Sequence, residues 1–378
     1  MASPIKDVIR KSRDKYLLVE GPTCCDLTNR IAQAAGGSQV ILHKSTNTEF
    51  TVPQTDDSTL RNFFYHHRHQ TSEPVTLTTI PNGRVYTGGV VISPSGHTIA
   101  RDVSIDFGKA FDEHSLIGSR IQRPKHLKGK TLCVNSAGVS SYYHWLLDEL
   151  PRYLVSDHND INQVICSRNT NANRLALRLL GLGDIPTIAI DEPGRFQKRS
   201  YCSDVLLVPS YVTSTGTSNS LLIDLLCSLV EPLISKSSSL PEKIIISREH
   251  ATGRRIIDKS GSLAHLEDTG YTRIYLEDLS WTEQVNLFFQ AREIVSPHGA
   301  GLANLAFCSK KPLVVEIFHR RYVHWCFWML ADLVGASYRP VALPSGLPVE
   351  HNVNYARADI IVDENDKTII DKTTKSDS

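Results

Sequence analysis

The sequence predicts a two-lobed α/β protein built on parallel sheets. Six short β-branched runs, TLCVN (131–135), QVICS (163–167), DVLLVPS (204–210), KIIIS (243–247), REIVS (292–296) and PLVVEIF (312–318), are separated by helical patterns, as in a doubly wound sheet. At 378 residues the chain calls for about two domains. Its composition is globular: 41% hydrophobic and 21% charged, with 22 Gly and 18 Pro dispersed, which excludes disorder, collagen and coiled coil. The first 130 residues read as β-rich and irregular. Within them RVYTGGVVISPSGHTIARDVSID sets two β-branched runs around the turn at Ser93 to Gly96, predicting a hairpin. The Ser-rich SKSSSLPEK (235–243) is the best linker. The expected division is an N-terminal lobe 1–235 (β-rich 1–130, α/β 131–235), a C-terminal lobe 236–345, and a tail 346–378 that packs back or is disordered. No internal repeat interrupts this pattern.

The charges nearly cancel, 41 Lys and Arg against 40 Asp and Glu. A net charge of +1 provides no field for nucleic acid or an anionic membrane, so anion binding must be local. No apolar run reaches the roughly 18 residues of a membrane span; the stretches starting at Ser220 and Trp325 are short and carry acidic residues. The first twenty residues lack the apolar core of a secretory leader, and the expectation is a cytoplasmic protein. Eight cysteines without a C-x-x-C pair predict buried, reduced thiols and neither a disulfide framework nor a zinc site.

Three clusters carry chemistry. In the first, Ser280 and Glu283 form a capping box for a helix whose Trp281, Val285, Phe288 and Phe289 share a face, followed by the strand REIVS and by SPHGAGLANLAF (296–307). The chain there leaves a strand, turns through Gly299, Ala300 and Gly301 and enters a helix, so backbone N–H groups can cradle a diphosphate. G-A-G-L-A-N is also a G-x-G-x-x-G with Asn304 in the last place, which leaves a drifted dinucleotide fingerprint open, as it does a tight turn with His298 facing the core. Glu316 ends the next strand, placed to accept a ribose diol or to pair with Arg320.

The second cluster, SREHATGRR (247–255), gathers Arg248, Arg254 and Arg255 about a glycine turn. Guanidinium forks bridge phosphate oxygens, and one within about 4 Å of a leaving phosphate offers roughly 4 kcal/mol at an effective dielectric of 20. A solvated loop is the plainer alternative. The third, NSAGVSSYYHWLLDELPR (135–152), can be capped by Ser140 or Ser141, with His144, Asp148 and Arg152 at i, i+4 and i+8 as a polar stripe and Leu146, Leu147 and Leu150 inward. Neutral His144 oriented by Asp148 is a competent general base near pH 7, Glu149 or Asp148 acting directly is the near alternative, and Tyr142 and Trp145 can stack on a sugar. An ordinary amphipathic helix with a surface His–Asp pair reads the same way.

Together YYHWLLDELPR (142–152), ISREHATGRRIID (246–258) and SPHGAGLANLAF followed by VVEIF resemble the successive signatures of glycosyltransferase family 61, over residues 131–320. In that family the arginine motif often continues with Asn-Glu, where this chain has Asp258 and Lys259. The resemblance implies inverting sugar transfer from a nucleotide-sugar donor on a glycosyltransferase-B fold, two Rossmann-like lobes facing a cleft. The donor would be held by the C-terminal lobe through Arg248, Arg254, Arg255, His298, Gly299, Ala300, Gly301, Asn304 and Glu316. The acceptor, a glycan or lipid-linked glycan, would be met by Tyr142, Trp145 and Arg152 beside the catalytic His144, Asp148 and Glu149. No D-x-D occurs in the sequence, so the leaving diphosphate is expected to be neutralised by arginines without a metal or other cofactor. A lipid-linked acceptor leaves room for peripheral membrane contact in a surface-polysaccharide role. A nucleotide-sugar-binding protein without turnover and a diverged NAD(P) oxidoreductase are the alternatives.

Overall fold

The computed structural model describes residues 18–136, 141–190, 199–235, 239–343, 354–363, 366 and 374. The chain divides into two compact units, residues 1–45 with 73–212 and residues 46–72 with 213–378.

Unit 1 is organised by a ten-stranded sheet. In chain order its strands are β1 (Cys24–Asp26), β2 (Ser38–His43), β3 (Val75–Pro81), β4 (Arg84–Tyr86), β5 (Val90–Ile92), β6 (Thr98–Ala100), β7 (Lys125–Cys133), β8 (Ile161–Cys166), β9 (Thr187–Ala189) and β10 (Ser200–Pro209). Along the sheet β9, β8, β7 and β10 are neighbours and mutually parallel, and β10 continues through antiparallel pairing into β3 and β4. The β-rich and α/β textures of the sequence are therefore halves of one sheet. The expected hairpin is β5 and β6, closed by Ser93 N–H to Thr98 O (2.8 Å) and Gly96 N–H to Ser93 O (2.9 Å). In the parallel half, the first strand, β7, lies between β8 and the last, β10, so the crossovers run in opposite directions on its two sides. Ligands of doubly wound sheets bind at such a reversal.

In unit 1 that position is filled by the protein itself. Arg152 is fully buried and donates to the carbonyls that end the two strands: Nη1 to Asn135 O (2.7 Å) and Val134 O (3.0 Å), Nη2 to Cys133 O (3.4 Å), and Nε to Pro209 O (2.9 Å). The guanidinium supplies donors to carbonyls at the ends of both strands and ties β7 to β10.

Unit 2 holds a five-stranded, all-parallel sheet: β11 (Lys243–Ile246), β12 (Thr272–Ile274), β13 (Glu293–Pro297), β14 (Leu313–His319) and β15 (Ser337–Leu343), in the order β12-β11-β13-β14-β15. The order reverses between β11 and β13. Helix Trp281–Gln290 starts with the expected capping box, Ser280 Oγ accepting from Glu283 N–H and the Glu283 carboxylate from Ser280 N–H. Trp281, Val285 and Phe288 are buried, while Phe289 is half-buried and Leu287 takes the inward place. Leu263 and Leu266 of helix Ser262–Asp268 pack with Ile245, Val295, Val315 and Ile317 of the sheet.

The boundary falls before helix Ser220–Val230, whose Leu222 and Leu226 are completely buried and whose Cys227 Sγ meets Ala306 O at 3.4 Å. It therefore precedes the Ser-rich segment, of which 236–238 lie outside the described residues. Segment 46–72 joins unit 2 because Phe50 and Phe64 pack on Trp328 (centroids 5.5 and 5.1 Å) and Trp328 Nε1 donates to Thr51 O (2.8 Å). The tail returns as strand Ile360–Val362 beside Ile256–Asp258. All eight cysteines are free, but Cys24 and Cys227 are exposed, contrary to the expectation of uniformly buried thiols.

Replacing Arg152 by Met removes the donors while keeping the bulk of the stem. Urea unfolding is expected to show a loss of at least about 3 kcal/mol, because several buried carbonyls are left unpaired. A loss below about 1 kcal/mol would mean that the latch is dispensable.

Candidate functional site

At the reversal point of unit 2 the crevice is open. A cavity of about 320 Å³ is lined by Ser247 and Arg248 after β11, Ser296 and Pro297 at the end of β13, Gly299 and Gly301, and Leu276 and Glu277 after β12. Gly299 has φ 176°, extended backbone open to any residue, so its glycine is required for space: a Cβ would overlap the Arg248 guanidinium. At Gly301 a Cβ would strike Leu276 Cδ1. Ala300–Phe307 is a 3-10 helix, where the sequence reading expected an α-helix receiving phosphate at its N-terminus. The glycines thus admit the arginine to the loop, a different use from the close ligand approach expected of them.

Arg248 lines this cavity. Its Nη2 donates to Gly253 O (3.2 Å), while its Nε is buried without a hydrogen-bond partner among the described residues. Burial lowers its pKa to about 10, assisted by the positive charge of Arg254 and opposed by Glu277. A buried guanidinium on the wall of the crevice, its charge further disfavoured by a second arginine, is an environment that an anion would relieve. Arg254 adopts a left-handed conformation (φ 58°) with its guanidinium 6.0 Å from the Tyr322 ring. Glu277 is held by His250 Nδ1 (3.1 Å), whose ring stacks on Tyr275 (4.8 Å).

Several predicted donor residues lie elsewhere. Arg255 is engaged by Asp359, Nε to Oδ2 at 3.0 Å and backbone N–H to Oδ1 at 2.9 Å, and so anchors the returning tail. Glu316 is completely buried, with Oε1 on His298 Nδ1 (2.5 Å) and Oε2 accepting from the Tyr338 hydroxyl, so it meets neither a ribose nor Arg320. His298 is itself 5% exposed, among the rings of Phe318, Tyr322 and Phe327, and does not line the cavity. Asn304 is in the core, where Nδ2 donates to Gln284 Oε1 (3.0 Å) and Gly301 O (3.1 Å). Ala300 is half-buried in the loop. Asp258 caps helix Ser262–Asp268 by accepting from Leu263 N–H (2.8 Å) and Ser262 N–H (3.1 Å), and Lys259 N–H bonds Val362 O (2.8 Å).

In unit 1, helix 142–154 follows β7. Ser141 is its N-cap without a side-chain hydrogen bond, and Ser140 lies outside the described residues. Its middle turn, Trp145–Glu149, is π-helical, a wider turn often found at functional sites. His144 Nδ1 meets Asp148 Oδ2 at 2.7 Å; Asp148 is 3% and the His144 side chain 19% exposed. Asp148 thus fixes the ring, and Nε2 keeps its lone pair in the neutral tautomer with Nδ1 protonated. Leu146, Leu147 and Leu150 are buried as expected.

The polar stripe stops there. Glu149 is fully buried, accepting from Ser167 N–H (3.2 Å) and the Ser167 hydroxyl, and burial pushes its pKa up to about 7. Arg152 is the strand latch and has no face for an acceptor. Trp145 is 9% exposed, with Nε1 on Asn173 Oδ1 (3.2 Å), so it is a core residue and no sugar platform; Tyr142 is half-buried with its ring 5.8 Å from that of Trp145. Sequence reading missed Glu277 and His250 of the cavity, for which position after a parallel strand is the available signal. It also missed Phe107, whose ring lies 5.5 Å from His144 and which no spacing links to the helix.

The family model described as Glycosyltransferase 61 matches residues 142–315, a span holding the His144–Asp148 pair, the Arg248 cavity and the Gly299 loop. Comparison with curated proteins gives no match. Among solved structures the chain is similar to TibC, a bacterial iron-containing dodecameric glycosyltransferase of enterotoxigenic E. coli. That likeness is 12% identical, covers 79% of this chain and 92% of the other, and has a TM-score of 0.28.

The raised pKa of Glu149 fixes a pH dependence. A folded value of about 7 above the ordinary 4.5 means the fold favours the protonated carboxyl. Its stability contribution is full below the ordinary value and is lost as pH rises through about 7. Glu149→Gln should flatten this slope, so that wild type loses about 3 kcal/mol more than the variant between roughly pH 4.5 and pH 8 in urea unfolding. Equal slopes in the two proteins would overturn the assignment.

Proposed function

We propose that the chain, whose residues 142–315 match the glycosyltransferase 61 family model, is an inverting glycosyltransferase of the glycosyltransferase-B type. It moves a sugar from a nucleotide-sugar, a UDP-sugar above all, to a hydroxyl of a glycan or lipid-linked acceptor in surface-polysaccharide synthesis at the cytoplasmic side of a membrane. The observation that carries this reading is the crevice at the strand-order reversal of unit 2, lined by Arg248 with an unpaired buried Nε.

Arg248, with Arg254 nearby, takes the charge of the leaving diphosphate, the task a divalent cation performs where a D-x-D motif is present. Glu277, steadied by His250, accepts the ribose hydroxyls in place of Glu316. His298 and Glu316 are positioning residues: their buried pair fixes the chain as it leaves β13, with His298 N–H on Ile317 O (2.9 Å). In unit 1, His144 Nε2 removes the acceptor hydroxyl proton while Asp148 stabilises the imidazolium. The alkoxide attacks the anomeric carbon through an oxocarbenium-like state as the bond to the β-phosphate oxygen breaks, and one displacement inverts the anomeric centre. Glu149, buried against Ser167, keeps the π-turn in place.

Two measurements test this. UDP at about 100 times its dissociation constant should stabilise the protein by roughly 2.7 kcal/mol in a melting assay, and Arg248→Ala should abolish that shift. His144→Ala should lower sugar transfer at least about 100-fold while keeping the UDP shift. Stabilisation by NAD and not by UDP, or near-normal transfer by both His144→Ala and Asp148→Ala, would sink the reading.

A further inference from the structure

Residues 101–118 of unit 1 form a loop that holds two phenylalanines in solvent. Its centre is Arg101, 8% exposed, which donates Nη1 to Ser104 O (2.7 Å), Nη2 to Asp106 O and Lys109 O (3.2 Å each), Nε to Glu113 O (3.1 Å), and Nη2 more distantly to Ala110 O (3.5 Å). Four of those carbonyls, of Asp106, Lys109, Ala110 and Glu113, belong to the ends of two successive β-turns. Lys109 N–H closes on Asp106 O (3.2 Å), with Phe107 and Gly108 (φ 78°) in the middle. Glu113 N–H closes on Ala110 O (3.1 Å), with Phe111 and Asp112 in the middle. Phe107 and Phe111 thus hold the same place, second in their turns, and are 54% and 50% exposed. Asp106 Oδ2 accepts from Ser115 N–H (2.7 Å), and Asp102 Oδ1 from Thr28 N–H (2.8 Å), which fasten the loop to itself and to helix Thr28–Ala34.

A loop that presents a large apolar ring at each of two apices, and spends a buried guanidinium on fixing both, is built to hold the rings for a ligand. Rigid aromatic side chains bind with little loss of conformational freedom. The Phe107 ring lies 5.5 Å from the His144 imidazole at 44°, so whatever rests on it lies next to the proposed base. We propose that Phe107 and Phe111 form the acceptor-binding platform, taking the C–H face of an acceptor pyranose ring and bringing its hydroxyl to His144. Sugar C–H bonds carry the partial positive charge that the face of an aromatic ring attracts. This assigns to Phe107 and Phe111 the role that the sequence suggested for Tyr142 and Trp145. It rests on the transferase reading for the statement that the bound saccharide is an acceptor.

Saturation-transfer NMR with a panel of methyl glycosides (of glucose, galactose, mannose, xylose and N-acetylglucosamine) tests it without donor. The wild-type protein should transfer saturation to the ring C–H protons of at least one glycoside. Phe107→Leu and Phe111→Leu should each weaken that binding roughly threefold to tenfold, Phe107→Tyr should retain it, and Tyr65→Leu, at another half-exposed aromatic, should leave it unchanged. Circular dichroism checks that each variant is folded. No transfer with the wild type, or equal binding by the Leu variants, overturns the proposal. A UDP shift without glycoside binding defeats this inference alone, and glycoside binding that depends on Phe107 without a UDP shift defeats the transferase reading alone.

Discussion

The buried guanidinium of Arg152 decides which of the two strand-order reversals is closed by the protein itself and which is left open. Both units carry a parallel sheet whose strand order reverses once, and both therefore have a crevice at the carboxyl ends of their strands. In unit 1 Arg152 occupies it, bonded to Asn135 O, Val134 O and Pro209 O. In unit 2 the corresponding crevice is open and presents Arg248 with an unsatisfied Nε. Self-occupation in one unit and a cationic opening in the other is a division of labour written in hydrogen bonds.

Arg152 also sets the geometry of the helix it comes from. The helix leaves β7, widens into a π-turn at Trp145–Glu149, and is tied back to the end of the same strand three residues later. Within that loop of chain Glu149 is held by Ser167 and Asp148 by His144. The imidazole is the group left partly open to solvent, so one latch and one carboxylate leave Nε2 as the ring nitrogen not engaged by Asp148. The same economy recurs at Arg101, where a single guanidinium collects the ends of two turns and orients Phe107 beside that imidazole.

Much of the fold was legible because parallel strands buried on both faces need unbroken β-branched runs, and all six predicted runs are strands. The capping box at Ser280, the hairpin at Ser93 and the inward leucines of the His144 helix were equally readable, since each depends on residues within a few positions of one another. The His144–Asp148 pair belongs to the same class: an i, i+4 relation survives the change from α- to π-turn well enough to close at 2.7 Å. Arg152, two turns on, does not keep its place on the stripe, because the widened turn and the strand carbonyls draw it inward.

What the sequence alone determined is the local chemistry: which segments form strands, where a helix is capped, and that arginines and glycines gather after the strands of the second half. Tertiary structure decided which of those charged groups remain available. Arg248, Arg254 and Arg255 are equivalent on paper, yet Asp359, distant in sequence, takes Arg255, while Arg248 is left in the crevice with Gly299 making room for it. Glu316 looked open at a strand end until His298 and Tyr338 closed on both its oxygens. The reason is physical: a buried polar group must find a partner, and partners are chosen by proximity in space, which spacing along the chain does not encode.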